Sequence, residues 1–134
     1  MNKPTVFTGA ATAIITPLTP DGIDFDRYGA MIDWQIEADF LGLIYAGDPQ
    51  KAAERAFEIG HMICYGDGVY GGVFVAAVTA AAFTCEDVES AVRTALAAIP
   101  EGTEYKAVMN EVLHGYEKGL PWEETWQAVQ DKWC

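Results

Sequence analysis

The residue types that could carry chemistry are few and widely spaced in this 134-residue chain. Its three cysteines, Cys64, Cys85 and Cys134, form no Cys-x-x-Cys pair and no zinc-type grouping with histidine. An odd number of thiols at such spacing is typical of unpaired cysteines in a reducing compartment. The sequence therefore predicts no disulfides and no metal site built on cysteine.

The lysines and His114 provide no clear candidate for catalysis. An imine-forming lysine needs a desolvated amine, whereas a lysine on a polar helical face is a solvated cation. His114 has no carboxylate at catalytic spacing and is expected at the surface or at the boundary of the core. The lysines predicted to lie on polar helical faces are Lys51, Lys106, Lys118 and Lys132.

A second group of polar and aromatic residues follows the first third of the chain. His61 falls on an apolar helical segment, where a histidine is usually satisfied in the core or at its boundary. Asp67 stands between two glycines, which favours a turn between helices over a metal ligand. Tyr65 and Tyr70 could stack on a base, although packing between helices is the alternative explanation.

The composition of the chain limits the kinds of partner that it could bind. Eight Lys and Arg against twenty Asp and Glu give a net charge of −12, which disfavours nucleic acid and anionic membrane surfaces. The chain is 51% hydrophobic and therefore unlike a disordered segment. The first residues are polar and contain no apolar signal-peptide region. We expect a cytoplasmic protein without nucleic-acid or membrane partners.

The elements that must position these residues are helical. Apolar residues recur at helical spacing between recognisable start and stop signals, such as Asp48-Pro49 at one start and Gly119 at one end. The predicted helices run from Asp24 to about Tyr45, from Pro49 to the glycines at 66–68, from Val69 to Phe83, from Thr84 to Pro100, from Thr103 to Gly119 and from Pro121 onward.

The third helix is predicted to lie at the centre of the bundle. The uncharged run from Gly68 to Cys85 is long enough to suggest a membrane span, but its alanines, glycines and threonines favour a buried helix. Residues 5–17 are β-branched and small and predict one short extended segment. The fold class expected is a mainly α single domain of about six helices over 1–134, and not a TIM barrel.

The opening of the chain resembles the dihydrodipicolinate synthase family of class I aldolases. The similarity covers about residues 1–38, with its most specific stretches in Ile15-Thr-Pro17 and Ile32-Asp-Trp-Gln-Ile-Glu37. The resemblance implies the first strand and first helix of a TIM barrel. A whole barrel needs about 200 residues or more, and no counterpart of the family's Schiff-base lysine is found, so aldolase activity is not expected.

From about residue 35 to 134 the chain resembles an internal segment of the ADP-ribosylglycohydrolase family. The most specific stretch is Tyr65-Gly-Asp-Gly followed by Gly71-Gly-Val-Phe-Val-Ala-Ala77. The resemblance implies an all-helical fold and hydrolysis of ADP-ribosyl linkages with two magnesium ions. The family's Thr-Asp-Asp and Asp-x-Asp-Thr metal motifs do not occur in these 134 residues. The resemblance makes His61, Asp67 and Tyr70 candidates for a nucleotide cleft.

The two resemblances meet at Gln35-Ile-Glu-Ala38, which can be assigned to either family. The sequence thus predicts a chimera, with an aldolase-like part over 1–38 and a glycohydrolase-like part over 38–134. The function expected is a non-catalytic helical domain that folds and self-associates, with no catalytic residues, no metal and no cofactor. The alternative is a module that binds ADP-ribose or a related nucleotide, or that weakly hydrolyses ADP-ribosyl linkages, with magnesium. A homo-oligomer with the Trp122/Trp126/Trp133 stripe or the third helix near its interface is predicted, because lost family neighbours would leave apolar surface uncovered.

Overall fold

The computed structural model describes residues 18–19, 22–23 and 37–133. Within these ranges the chain is mainly helical and is not a TIM barrel, as predicted. The extended segment predicted over 5–17 and the first part of the first predicted helix, 24–36, lie outside the described residues. The elements are β1 Leu18–Thr19, β2 Gly22–Ile23, α1 Asp39–Ile44, α2 Pro49–Gly60, α3 Gly68–Ala81, α4 Val88–Ala97, α5 Glu104–Glu117 and α6 Trp122–Trp133.

The two strands are very short. β1 pairs with β2 in antiparallel register, with Leu18 opposite Ile23 and Thr19 opposite Gly22. They lie on either side of residues 20–21. The pairing forms a small antiparallel two-stranded ribbon.

Helix α3 lies at the centre, as predicted, because it packs against α1, α2 and α4. Val69, Val73, Ala76, Ala77 and Ala80 are buried on several sides of this helix, which no single amphipathic stripe would bury. Small side chains dominate the buried surface, so neighbouring helices approach α3 closely.

The closest approach is between α1 and α3. A Cβ atom on Gly42 would lie 2.6 Å from the carbonyl oxygen of Ala76, which belongs to the backbone of α3. It would also overlap the side chain of Thr79. A glycine is thus required at position 42, since a helix backbone cannot move aside as a side chain can.

Several helix ends follow the signals in the sequence. The Asp48 side chain accepts a hydrogen bond from the Lys51 backbone N–H at 3.1 Å, and Pro49 occupies the first turn of α2. Thr103 caps α5 in the same way, through the Lys106 backbone N–H at 3.3 Å. Gly119 has φ of +67°, a conformation that favours glycine just beyond a helix end.

Helix α4 begins at Val88, whereas the sequence predicted a start at Thr84. Its N-cap is Asp87, whose Oδ1 accepts hydrogen bonds from the Ser90 backbone N–H at 2.7 Å and from the Ser90 hydroxyl at 2.5 Å. These hydrogen bonds lower the pKa of the Asp87 carboxyl. Val88 is 80% exposed because it lies in the first turn of α4, at the edge of the core.

Helices α5 and α6 form an antiparallel hairpin, called here the C-terminal hairpin. Its helices meet where Gly115 faces Thr125, so closely that a Cβ on Gly115 would overlap the Thr125 side chain. Lys132 Nζ pairs with Glu111 Oε2 at 2.7 Å across the same hairpin. Helix α6 contains no buried residue, although α5 buries Tyr105, Val108 and Gly115.

The uncharged run at 68–85 was long enough to suggest a membrane span. Helix α3, which lies within that run, has 14 residues. Within the described ranges, no helix combines the length and the apolarity that a membrane crossing requires.

The contact between Gly115 and Thr125 predicts a specific pattern of stability. Gly115→Ala should lower the free energy of unfolding by about 1–3 kcal/mol, because the added methyl group overpacks the hairpin. Thr125→Ala should restore part of that loss in the double variant, since it removes the overlapping Oγ1 and Cγ2 atoms. Urea unfolding followed by circular dichroism measures both effects. Equal losses in the single and double variants would contradict the packing described.

Candidate functional site

His61 lies directly after helix α2, as its C-cap residue. Its Nδ1 is 3.1 Å from the Phe57 carbonyl oxygen and donates to it in the tautomer with a proton on Nδ1. The imidazole ring also contacts the Phe57 ring, with centroids 4.2 Å apart. The side chain is exposed, so the expectation of a core or boundary histidine is wrong. The helix has ended at this point, and the chain no longer directs the residue toward α3.

Tyr70 lies in the first turns of α3 and is half-buried. Its ring stacks near that of Phe57, with centroids 6.0 Å apart and an angle of 26° between the planes. Phe57 therefore stands between His61 and Tyr70 and links them into one aromatic cluster, defined here as Phe57, His61 and Tyr70. Phe57 itself is 39% exposed. Phe57 precedes His61 by four residues, which is about one helical turn. This spacing is the sequence signal that could have placed Phe57 beside His61.

Asp67 has a different role. Its Oδ2 accepts a hydrogen bond from the backbone N–H of Tyr105 at 2.7 Å. That N–H lies in the first turn of α5, where backbone donors have no partner within the helix. A carboxylate at this end also interacts favourably with the helix dipole. The interpretation of Asp67 as part of a turn is thus incomplete, because its side chain also caps a distant helix.

Thr103 and Asp67 together satisfy two successive donors at the start of α5. Thr103 takes the Lys106 N–H and Asp67 takes the Tyr105 N–H. The Tyr105 side chain is 4% exposed and lies with its ring centroid 6.0 Å from that of Phe74 on α3. Burial raises the pKa of the Tyr105 phenol far above its ordinary value, so this group stays neutral at physiological pH. Tyr105 therefore packs in the core as a neutral side chain.

Lys106 corrects one expectation from the sequence. Its side chain is only 12% exposed, and Nζ donates to the Ile99 carbonyl oxygen at 2.9 Å and pairs with Glu101 at 2.6 Å. It is thus largely buried at the end of α4 and not solvated on a polar face. Lys51 and Lys132 do carry exposed amines, and they lie 5.4 Å from the ring centroids of Tyr45 and Trp133. Lys118 and His114 are exposed at the end of α5.

A shallow cleft of about 210 Å³ lies between the start of α5 and the end of α6. Thr103, Lys106, Asn110 and Trp133 contribute to its lining. None of the three candidate residues lines it. The indole Nε1 of Trp133 is buried there and has no hydrogen-bond partner among the described residues.

The cysteines add no reactive centre to the cluster. Cys64 is buried and Cys85 is half-buried, and neither is in a disulfide. Burial raises the pKa of the Cys64 thiol, so it is less readily ionised than an exposed cysteine. Cys134 lies outside the described residues.

The magnesium ions implied by the resemblance do not fit the residues at this site. Magnesium requires several oxygen ligands in near-octahedral arrangement. Over residues 37–133 the structure forms no group of three or more His, Cys, Asp or Glu side chains that could hold a metal. Asp67, the carboxylate among the candidates, is directed at the backbone of α5.

The geometry therefore separates the three candidates by role. His61 and Tyr70 are joined through Phe57 into a partly exposed aromatic surface, which offers ring faces for stacking. Asp67 lies one helical turn before Tyr70 and is used as a cap.

Comparison with known proteins identifies the family. Residues 24–133 match the ADP-ribosylglycohydrolase family. The match covers most of the chain, and the chain therefore belongs to this family. The helical fold and the resemblance found over residues 35–134 agree with it.

The chain is also similar to part of another enzyme. It is 42% identical over 53 residues to the 4-hydroxy-tetrahydrodipicolinate synthase of Acetivibrio thermocellus, a match that covers 40% of this chain and 18% of the relative. The Oleidesulfovibrio alaskensis synthase is 42% identical over 52 residues, covering 39% of this chain and 18% of the relative. The Nitrosomonas europaea synthase is 36% identical over 59 residues, covering 43% of this chain and 20% of the relative. The chain thus matches about a fifth of the length of these relatives.

The two similarities are those of a chimera of the two families, as predicted. The family match leaves out residues 1–23 and Cys134. The 53-residue match to the synthase is longer than this remainder, so the two matches overlap. The boundary near residue 38 stays a prediction. No solved structure matches the chain.

The capping role of Asp67 can be tested by two variants at that position. Asp67→Ala should lower the free energy of unfolding by about 1–2 kcal/mol, because it leaves the Tyr105 N–H without its acceptor. Asp67→Asn keeps an acceptor oxygen and should lose less than Asp67→Ala. Urea unfolding of both variants beside the wild type measures the difference. If Asp67→Ala is as stable as the wild type, the hydrogen bond to Tyr105 does not support the fold.

Proposed function

We propose that this member of the ADP-ribosylglycohydrolase family is a non-hydrolytic helical domain whose principal activity is to self-associate. One observation carries the proposal. Helix α6 has no buried residue, yet Trp122 and Trp126 lie one turn apart on it and are 74% and 54% exposed. Helices of soluble proteins bury an apolar face against another element, and among the described elements α6 packs closely against α5 alone. A second chain would supply the missing contact.

The non-hydrolytic part of the proposal is supported by the use made of Asp67. A carboxylate that binds a metal or activates water must direct its oxygens at the reacting group. The Oδ2 of Asp67 instead holds the Tyr105 N–H at 2.7 Å, and His61 is held by the Phe57 carbonyl oxygen. One oxygen of Asp67 and one ring nitrogen of His61 are thus used within the fold itself.

A second candidate function is the binding of ADP-ribose without hydrolysis. The aromatic cluster of Phe57, His61 and Tyr70 favours it, because an adenine ring can stack on a partly exposed aromatic face. The neighbouring Tyr65 is 84% exposed and would be available to the same ligand. Against it stands the net charge of −12, which opposes a diphosphate unless local donors offset it.

Self-association is tested by sedimentation velocity over a range of protein concentrations. We expect the average mass to rise above the 14.6 kDa of one chain as concentration increases through the micromolar range. A mass that stays at that of one chain up to a protein concentration of about 100 μM would overturn the proposal. A dimer that does not form at that concentration is weaker than most specific dimers.

Calorimetric titration of ADP-ribose, with and without magnesium, separates the two candidate functions. We expect no heat of binding at millimolar ligand under either condition. Saturable heat would instead establish the nucleotide-binding function. Tyr70→Ala would then weaken it while Tyr116→Ala, at an exposed tyrosine on α5, would not.

A further inference from the structure

The exposed aromatic residues of the C-terminal hairpin lie on one face. Gly115 and Thr125 mark the line along which α5 and α6 touch. Tyr116 follows Gly115 by one residue, and Trp126 follows Thr125 by one residue. Successive residues of a helix are turned by about 100° from each other. Because α5 and α6 are antiparallel, one such step from the contact line places Tyr116 and Trp126 on the same side of the hairpin.

Two more residues join this face by helical spacing. Val112 precedes Tyr116 by four residues, and Trp122 precedes Trp126 by four residues, so each lies one turn from its partner. We define the hairpin face as Val112, Tyr116, Trp122 and Trp126. All four side chains are exposed, by 38%, 63%, 74% and 54% in that order. None of them is charged, whereas Glu123 and Glu124 occupy other positions of the same helix.

We propose that the hairpin face is the surface through which two copies of this chain associate, related by a two-fold axis. The proposal rests on the self-association proposed above and assigns its interface. Because the same patch would be present on both copies, a two-fold axis closes the assembly at a dimer.

The size of the face suits this role. Taking about 200 Å² for each aromatic side chain, the exposed fractions leave roughly 380 Å² of aromatic surface in solvent. A standard interface buries about 800 Å² on each partner, of which roughly 500 Å² is apolar. With the aliphatic contribution of Val112 and of Leu120, 41% exposed in the connecting turn, the hairpin face supplies most of that apolar area.

Charge argues for a second copy meeting on this face and not elsewhere. Two chains of net charge −12 repel each other, and the repulsion is least costly where the touching surface carries no charge. Helix α3, the other location predicted for the interface, is less suited to it, because its side chains are buried or half-buried among α1, α2 and α4. Screening by salt should therefore strengthen the dimer and not weaken it.

The test uses two neutral double variants of the full chain. Trp122→Gln with Trp126→Gln removes the aromatic surface while keeping the net charge and a good helix-forming residue. Leu43→Gln with Ile44→Gln is the matched control, since these residues of α1 are 57% and 64% exposed. Sedimentation velocity at several concentrations gives the dissociation constant of each protein, and circular dichroism verifies that each is folded.

We expect the tryptophan variant to weaken association by at least about thirtyfold, the effect of losing one interface hot spot. The control variant should associate as the wild type does, and raising NaCl from 50 to 500 mM should tighten the wild-type dimer. If the tryptophan variant loses its helical signal, Tyr116→Gln, on the other helix of the face, is the replacement and should weaken association at least about fivefold.

Other outcomes separate the two proposals. A wild type that stays monomeric overturns self-association itself, and the interface with it. A dimer that persists in the tryptophan variant but dissociates in the α1 variant overturns the hairpin face alone. Assemblies that grow beyond a dimer with concentration contradict the two-fold arrangement.

Discussion

Small residues around α3 let its neighbouring helices pack closely against it, and this packing forms the centre of the fold. A helix that is apolar on nearly every side can be stable in water only when it is surrounded, and α3 is surrounded by α1, α2 and α4. Alanine and glycine keep the axes close, as the approach of Gly42 to the Ala76 carbonyl illustrates. The cost is that these helices contribute little aromatic or long aliphatic burial: among the described residues, the largest fully buried side chains are Ile99, Val69 and Val73.

A core built in this way has no place for the larger aromatic residues of the C-terminal region. Tyr105 is the exception, since its ring packs near Phe74 and its backbone N–H is held by Asp67. These contacts attach the beginning of α5 to α3. Further along, the hairpin extends past the core, and Arg93 reaches Glu117 at 2.7 Å between exposed side chains, a type of ion pair that contributes little to stability. The exposure of Trp122 and Trp126 follows from this geometry, because the small central helix offers them no surface.

The sequence predicted the features that depend on neighbouring residues and missed those that depend on distant ones. The caps at Asp48 and Thr103 and the stop at Gly119 were predictable, since each acts within three or four residues of its own position. The hydrogen bond from Tyr105 to Asp67 joins residues 38 positions apart, and no local pattern indicates it. Lys106 was misplaced for the same reason, because its burial depends on how α4 ends beside α5.

The candidate site shows the same division between local and distant information. His61, Asp67 and Tyr70 are close in sequence, and the structure keeps them near the junction of α2 and α3, yet it gives them unlike partners. His61 and Tyr70 share Phe57, whereas Asp67 turns to another helix. The fold thus uses one oxygen of Asp67 and one ring nitrogen of His61 internally. The helical framework has an uncharged, aromatic face at its edge. In a chain this acidic, an uncharged face is the region where another copy meets the least electrostatic resistance.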